Sequence, residues 1–195
     1  SNIECEFTLA DQQWNENISS SFTLLDEQGN NVPFQTIKEE SNLTLDWRKR
    51  IIFEAKLKPM QTARYSVYVD FPEKKEQERQ PIFTFDNGRK HVEIDEKTGL
   101  ICSYKIDGTE YLGQGFGLCS FDDNADPWGM NRLQLERLGT NEKAFSLSKT
   151  PSGVFQGMKS VQVIEDGDIY LGIEAFFECD STRARIAYKI YKNND

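Results

Sequence analysis

The sequence predicts an all-β fold, and three observations predict it. Apolar and polar residues alternate with a period of two along several segments. Turn-forming residues recur between those segments. No stretch of about a dozen residues keeps a 3.6-residue apolar period, so a turn or two of helix is the most that is expected.

The first segment sets Ile3, Cys5, Phe7 and Leu9 on one face of a strand, and Asp26 to Asn30, with Gly29, marks a turn further on. Ile51, Phe53, Ala55 and Leu57 alternate next, followed by Tyr65, Val67, Val69 and Phe71. Between them Asp46-Trp47-Arg48-Lys49-Arg50 gathers three cations beside an aromatic ring. Against a net charge of -9 it reads as a turn or the start of a strand rather than a nucleic-acid contact. Trp14, among Gln and Asn residues, reads either as a strand-end core plug or as an exposed ring for stacking on sugar.

Residues 73–81 are charged and close on Pro81, with almost nothing to bury, and they read as a linker. The linker divides the chain into residues 1–72, large enough for a minimal Ig-like β-sandwich, and residues 82–195, a larger all-β unit. In the larger unit Asp86-Asn87-Gly88, Lys97-Thr98-Gly99, Asp107-Gly108 and Asp166-Gly167 punctuate strands that form an antiparallel meander. Long strands are predicted over 154–164, 168–177 and 183–191, with Ile169, Leu171, Ile173, Ala175 and Phe177 on one face. The run Gly113-Gln114-Gly115-Phe116-Gly117 lacks the lysine and helix of a phosphate loop and reads as a flexible lead into a strand over 116–121. The ending Lys192-Asn193-Asn194-Asp195 has the chemistry of a turn, so a further strand is expected to follow. The opening Ser1-Asn2, without methionine, suggests a piece of a longer protein.

Composition narrows the chemistry. The 195 residues are 37% hydrophobic and 28% charged, with no run near the roughly 18 apolar residues that cross a bilayer and no signal-type N-terminus, which argues against a membrane partner. An acidic chain without a basic cluster is a poor match to nucleic acid. The only histidine, His91, leaves one place for a Ser-His or Cys-His arrangement and none for a zinc site with several imidazoles. Alternation with Val92 and Ile94 puts His91 on the opposite, exposed face, as a surface residue. Cys5, Cys102, Cys119 and Cys179 show no C-x-x-C pair and read as buried thiols of a reducing, cytoplasmic compartment rather than disulfides. Two N-x-S/T triplets, at Asn17 and Asn42, are discounted as chance.

The segment Phe121 to Met130 stands out. Asp122, Asp123, Asn124 and Asp126 supply acceptors, and Trp128 supplies a flat apolar ring, a combination that suits sugar hydroxyls and a sugar face. The same residues also suit a structural loop in which the aspartates accept backbone N–H groups and Trp128 fills a core. A calcium loop fails, because Pro127 stands at the glycine position and Leu133 where the bidentate glutamate belongs. Acid/base carboxylate pairs are defined by separation in space, which sequence does not give.

Asn87-Gly88-Arg89 to Asp95, Lys97-Thr98-Gly99-Leu100-Ile101 to Tyr104, Glu110-Tyr111-Leu112 and the Asp-rich segment resemble the C-terminal β-sandwich region of bacterial α-mannosidases of glycoside hydrolase family 38. Val32-Pro33-Phe34-Gln35 and Leu57-Lys58-Pro59-Met60 to Tyr68 resemble the small sandwich that precedes it. The resemblance implies that the larger unit is part of a galactose mutarotase-like supersandwich and that the chain is non-catalytic. It implies partners in an N-terminal catalytic barrel and a helical bundle, with a terminal α-mannoside as substrate. It also implies zinc held in that barrel rather than here, with no cofactor in these residues. Asp122, Asp123, Asn124, Asp126 and Trp128 would then be the loop that faces substrate. The rival expectations are an independent carbohydrate-binding module without activity and, beyond it, a structural assembly domain.

Overall fold

The structure, a computed structural model, describes residues 1–9, 19–37, 48–73, 82–113, 116–121, 142–149 and 158–193. Its described residues form antiparallel strands and no helix, so the fold is all-β and of β-sandwich type. The chain clusters into two units. One comprises Ser1–Pro81 with Ile164–Gly172 and Lys189–Asn194, and the other Ile82–Val163 with Ile173–Tyr188 and Asp195.

In the first unit β1 (Asn2–Thr8) and β3 (Phe34–Ile37) flank β4 (Arg48–Glu54), while β2 (Ser21–Leu25) pairs with β5 (Ser66–Asp70). Alternation along these strands places Ile3, Phe7, Phe34, Ile51 and Phe53 from one sheet against Phe22, Leu24 and Val69 from the other, in one shared core. Phe7 and Phe22 meet edge to face across it, with centroids 5.3 Å apart. β4 is buried on both sides: Ile51 and Phe53 enter this core, and Ile52 joins Ile37, Ile169 and Tyr170 in a second cluster. Arg48 opens β4, and Arg50 pairs with Glu6 across the ladder at 3.4 Å, so these cations belong to a strand. The turn after β2 closes on Asp26, whose Oδ1 accepts the N–H groups of Gln28 and Asn30.

The two units part between Pro81 and Ile82, but residues 164–172 and 189–194 belong to the first unit. A non-local contact explains why. Gln35 is buried, and its Oε1 accepts the backbone N–H groups of Ile169 at 3.1 Å and Tyr170 at 2.9 Å, a pairing that local pattern does not announce.

In the second unit β6 (Thr84–Asp86), β7 (Lys90–Ile94), β8 (Ile101–Ile106) and β9 (Thr109–Glu110) form a meander in sequence order. Its turns are the expected ones, with Gly88, Gly99, Asp107 and Gly108 all at positive φ. β10 (Cys119–Phe121) pairs with β11 (Glu142–Ala144). β12 (Ser146–Leu147), β13 (Val161–Asp166) and β15 (Thr182–Tyr191) all pair with β14 (Tyr170–Cys179). Ile169, Leu171, Ile173, Ala175 and Phe177, the residues expected to share one face, are all buried.

Three expectations are corrected. The strand expected over 116–121 begins at Cys119, because the ladder to β11 reaches back only to Leu118, whose carbonyl accepts the Phe145 N–H at 3.0 Å. The described part of the strand expected from Val154 starts at Val161, with 154–157 outside the described residues. The cysteines are not buried: Cys5, Cys102 and Cys119 are exposed and Cys179 is partly so, and Cys5, Cys102 and Cys179 are free thiols. Cys5 shares the face of Ile3 and Phe7 but lies on β1, which among the described residues has a neighbour on one side only.

Candidate functional site

Asp122, Asp123, Asn124, Asp126 and Trp128 lie outside the described residues, as does Trp14. Their frame is described on both sides. Phe121 and Glu142 are Cα partners at the end of the β10–β11 ladder, so the two residues that bound 122–141 stand side by side. The rung below pairs Ser120 with Lys143, and Lys143 Nζ meets Asp180 Oδ2 at 2.7 Å.

The richest described set of titratable groups lies on the outer face of the β6–β9 meander. Register aligns Asp86 with His91, His91 with Lys105, and Lys105 with Glu110, a row that runs acidic, imidazole, basic, acidic across four strands. His91 lies on the face opposite Val92 and Ile94, as its alternation requires, but it is half-buried rather than a free surface residue. Its Nδ1 is 3.0 Å from Asp86 Oδ2 and its Nε2 is 3.7 Å from Glu93 Oε2.

The two carboxylates that end the row are tied down by local donors. Asp86 Oδ1 accepts the Gly88 N–H at 2.7 Å, and this bond, followed by the one from His91, holds the Asp86 carboxyl below its ordinary range. Glu110 Oε2 accepts the Ser103 hydroxyl at 2.7 Å, while its Oε1 accepts the N–H groups of Tyr104 at 2.9 Å and Leu112 at 3.0 Å. Those bonds, with the Ser103 hydroxyl foremost, lower the Glu110 pKa to about 2. Glu178 is lowered in the same way by Ser148 and the Lys149 N–H. Each is fixed as an anion whose lone pairs already serve the fold, which suits a charged scaffold and opposes proton donation.

A second polar cluster sits on β14. Glu174 is 5% exposed, and its Oε1 accepts from Arg185 at 3.2 Å while its Oε2 accepts from Gln162 at 3.4 Å. Sequence reasoning passed over these three residues. The signal was present, since a single charge inside the apolar run Tyr170–Phe177 calls for a partner on a neighbouring strand.

Among the described residues no group of three or more His, Cys, Asp or Glu side chains is placed to hold a metal ion, and no helix is long and apolar enough to cross a membrane. The chain matches no protein-family model, no curated protein and no solved structure in the comparisons made with them.

Proposed function

We propose that the chain is a non-catalytic β-sandwich portion of a family 38 α-mannosidase. In this reading it scaffolds an N-terminal barrel that hydrolyses terminal α-mannosides with retention, and it lends that barrel a substrate-facing loop. One observation supports the non-catalytic part of this reading. The described carboxylates with displaced proton affinities, Asp26, Asp86, Asp95, Glu110 and Glu178, are all displaced downward by N–H and O–H donors. A glycosidase acid needs the opposite displacement. The all-β architecture and the Phe121–Glu142 rung that frames 122–141 are in keeping with it.

The zinc of that family does not fit these residues. The one imidazole has each nitrogen directed at a different carboxylate, Asp86 and Glu93, rather than converging with other ligands. Metal chemistry is therefore assigned to the barrel, and this chain supplies positioning. Asp122, Asp123, Asn124 and Asp126 are proposed to accept from sugar hydroxyls and Trp128 to stack on a sugar face. A cytoplasmic setting is part of the proposal, and the free thiols of Cys5, Cys102 and Cys179 support it.

The test is direct. The purified chain, given an aryl α-mannoside and zinc, should release no mannose, and turnover at an enzymatic rate overturns the reading. The reading frame upstream of Ile3 should hold several hundred residues with His-x-Asp zinc-ligand signals, and its absence counts equally against it. Titration calorimetry with mannose and mannobiose decides the rival. Saturable heat that disappears in a folded Trp128→Ala variant would make the chain a carbohydrate-binding module in its own right.

A further inference from the structure

Strand β5 offers an edge that fits a second copy of itself. Among the described residues its one neighbour is β2, in the register Leu24↔Val67 and Phe22↔Val69. The direction of its backbone groups follows from the other side of β2. Leu24 O accepts the Val32 N–H at 2.8 Å, and Asp26 N–H donates to Asn30 O at 3.0 Å, so the backbone at Leu24 faces away from β5. Antiparallel alternation then turns Thr23 and Leu25 toward Tyr68 and Ser66, and the Ser19 N–H to Pro72 O bond at 3.0 Å continues the same parity. The N–H and C=O groups of Val67 and Val69 consequently point away from β2, along the edge that no other described strand occupies.

The side chains beside that edge are apolar in the middle and charged at the ends. Val67 is 37% exposed although its partner Leu24 is 1% exposed, and Tyr68 is 58% exposed. Arg64 and Asp70 are both exposed. We propose that two copies of this chain pair antiparallel through β5, about a two-fold axis at Val67, to give a continuous β2–β5–β5–β2 sheet. This interface goes beyond the proposed function and does not rest on it. Outward-facing residues must pair with outward-facing ones, which limits the registers to those that match Tyr65, Val67 and Val69 among themselves. The register centred on Val67 sets Tyr65 opposite Val69, Ser66 opposite Tyr68, and Arg64 opposite Asp70 on both sides of the axis. Each Val67 covers the other's exposed surface, and two opposite-charge pairs close the ends. A two-fold contact of this kind is self-complementary, as a closed dimer requires.

Sedimentation equilibrium of the full 195-residue chain tests it. A reversible monomer–dimer equilibrium is expected as concentration rises. Val67→Pro removes an N–H that β2 does not use, so it should leave folding intact by circular dichroism and abolish the dimer. Asp70→Arg sets like charges opposite each other and should raise the dimer Kd by about tenfold, and Asp70→Arg with Arg64→Asp should restore it to within about threefold. The charge exchange decides the matter if Val67→Pro fails to fold. A chain that stays monomeric up to about 1 mM, or a dimer indifferent to the charge reversal, overturns the proposal.

Discussion

Gln35 holds the backbone of Tyr170: its Oε1 accepts the Tyr170 N–H at 2.9 Å and, at 3.1 Å, that of the preceding Ile169. Both donors are buried, and a hydrophobic side chain at position 35 would leave them without an acceptor. Gln35→Leu is therefore expected to destabilise the chain by about 2–4 kcal/mol, read as a lower urea midpoint at unchanged slope. Gly167→Ala should weaken the same contact, since a Cβ there would strike the Gln35 side chain.

Gly99 should be the least replaceable of the three positive-φ glycines in the β6–β9 meander. It combines φ +70 with a site where a Cβ would meet Leu147 at 2.7 Å, Ala175 at 3.0 Å and Phe177 at 3.2 Å, while Gly88 and Gly108 have similar φ but nothing within 4 Å. Alanine at position 88 or 108 meets the backbone strain alone, about 1 kcal/mol. Alanine at position 99 adds overpacking against a buried strand, for a total of about 2–4 kcal/mol. Equal effects at the three positions, measured by denaturant titration, would refute the distinction.

What was legible in the sequence follows from distance along the chain. Period-two patterning and turn chemistry place the meander and its hairpins, because a strand's face and a glycine at positive φ are local properties. The same alternation puts His91 opposite Val92. Strand pairing supplies the rest. His91 meets Asp86 only through the β6–β7 register, and Gln35 meets Tyr170 across 135 positions of chain. Lys90 shows the limit from the other side. It shares the core face with Val92 and Ile94 and is 5% exposed, with its Nζ 5.8 Å over the Phe85 ring, where composition alone would leave a lysine in water. The exposure of Cys5 has the same origin, since among the described residues β1 ends its sheet and pairing, not local pattern, decides that.

Acid should act on the β6–β9 meander through Glu110. Its pKa falls from 4.5 to about 2 on folding, so the folded state binds the proton less tightly than the unfolded one. The stabilisation is complete above the unfolded value and is lost as pH falls from about 4.5 toward about 2, with Asp86 and Asp95 adding in the same direction. Ser103→Ala removes the largest donor, and carboxyl chemical shifts should then show Glu110 titrating closer to 4.5. An unchanged midpoint in that variant would refute the assignment of cause.

Arg185 and Glu174 are unequal partners, and the inequality predicts an asymmetric mutant cycle. The Arg185 side chain is 52% exposed and returns to water when its partner is removed, whereas Glu174, at 7%, has no such recourse. Arg185→Ala strands a buried carboxylate beside Gln162 and should cost about 1–3 kcal/mol, less than a fully buried pair because half the arginine is already solvated. Glu174→Gln in the same background removes the stranded charge and keeps an amide that can still bond with Gln162, so the double variant should be more stable than Arg185→Ala alone. A double variant less stable than Arg185→Ala would mean that the carboxylate draws its compensation from groups other than the guanidinium.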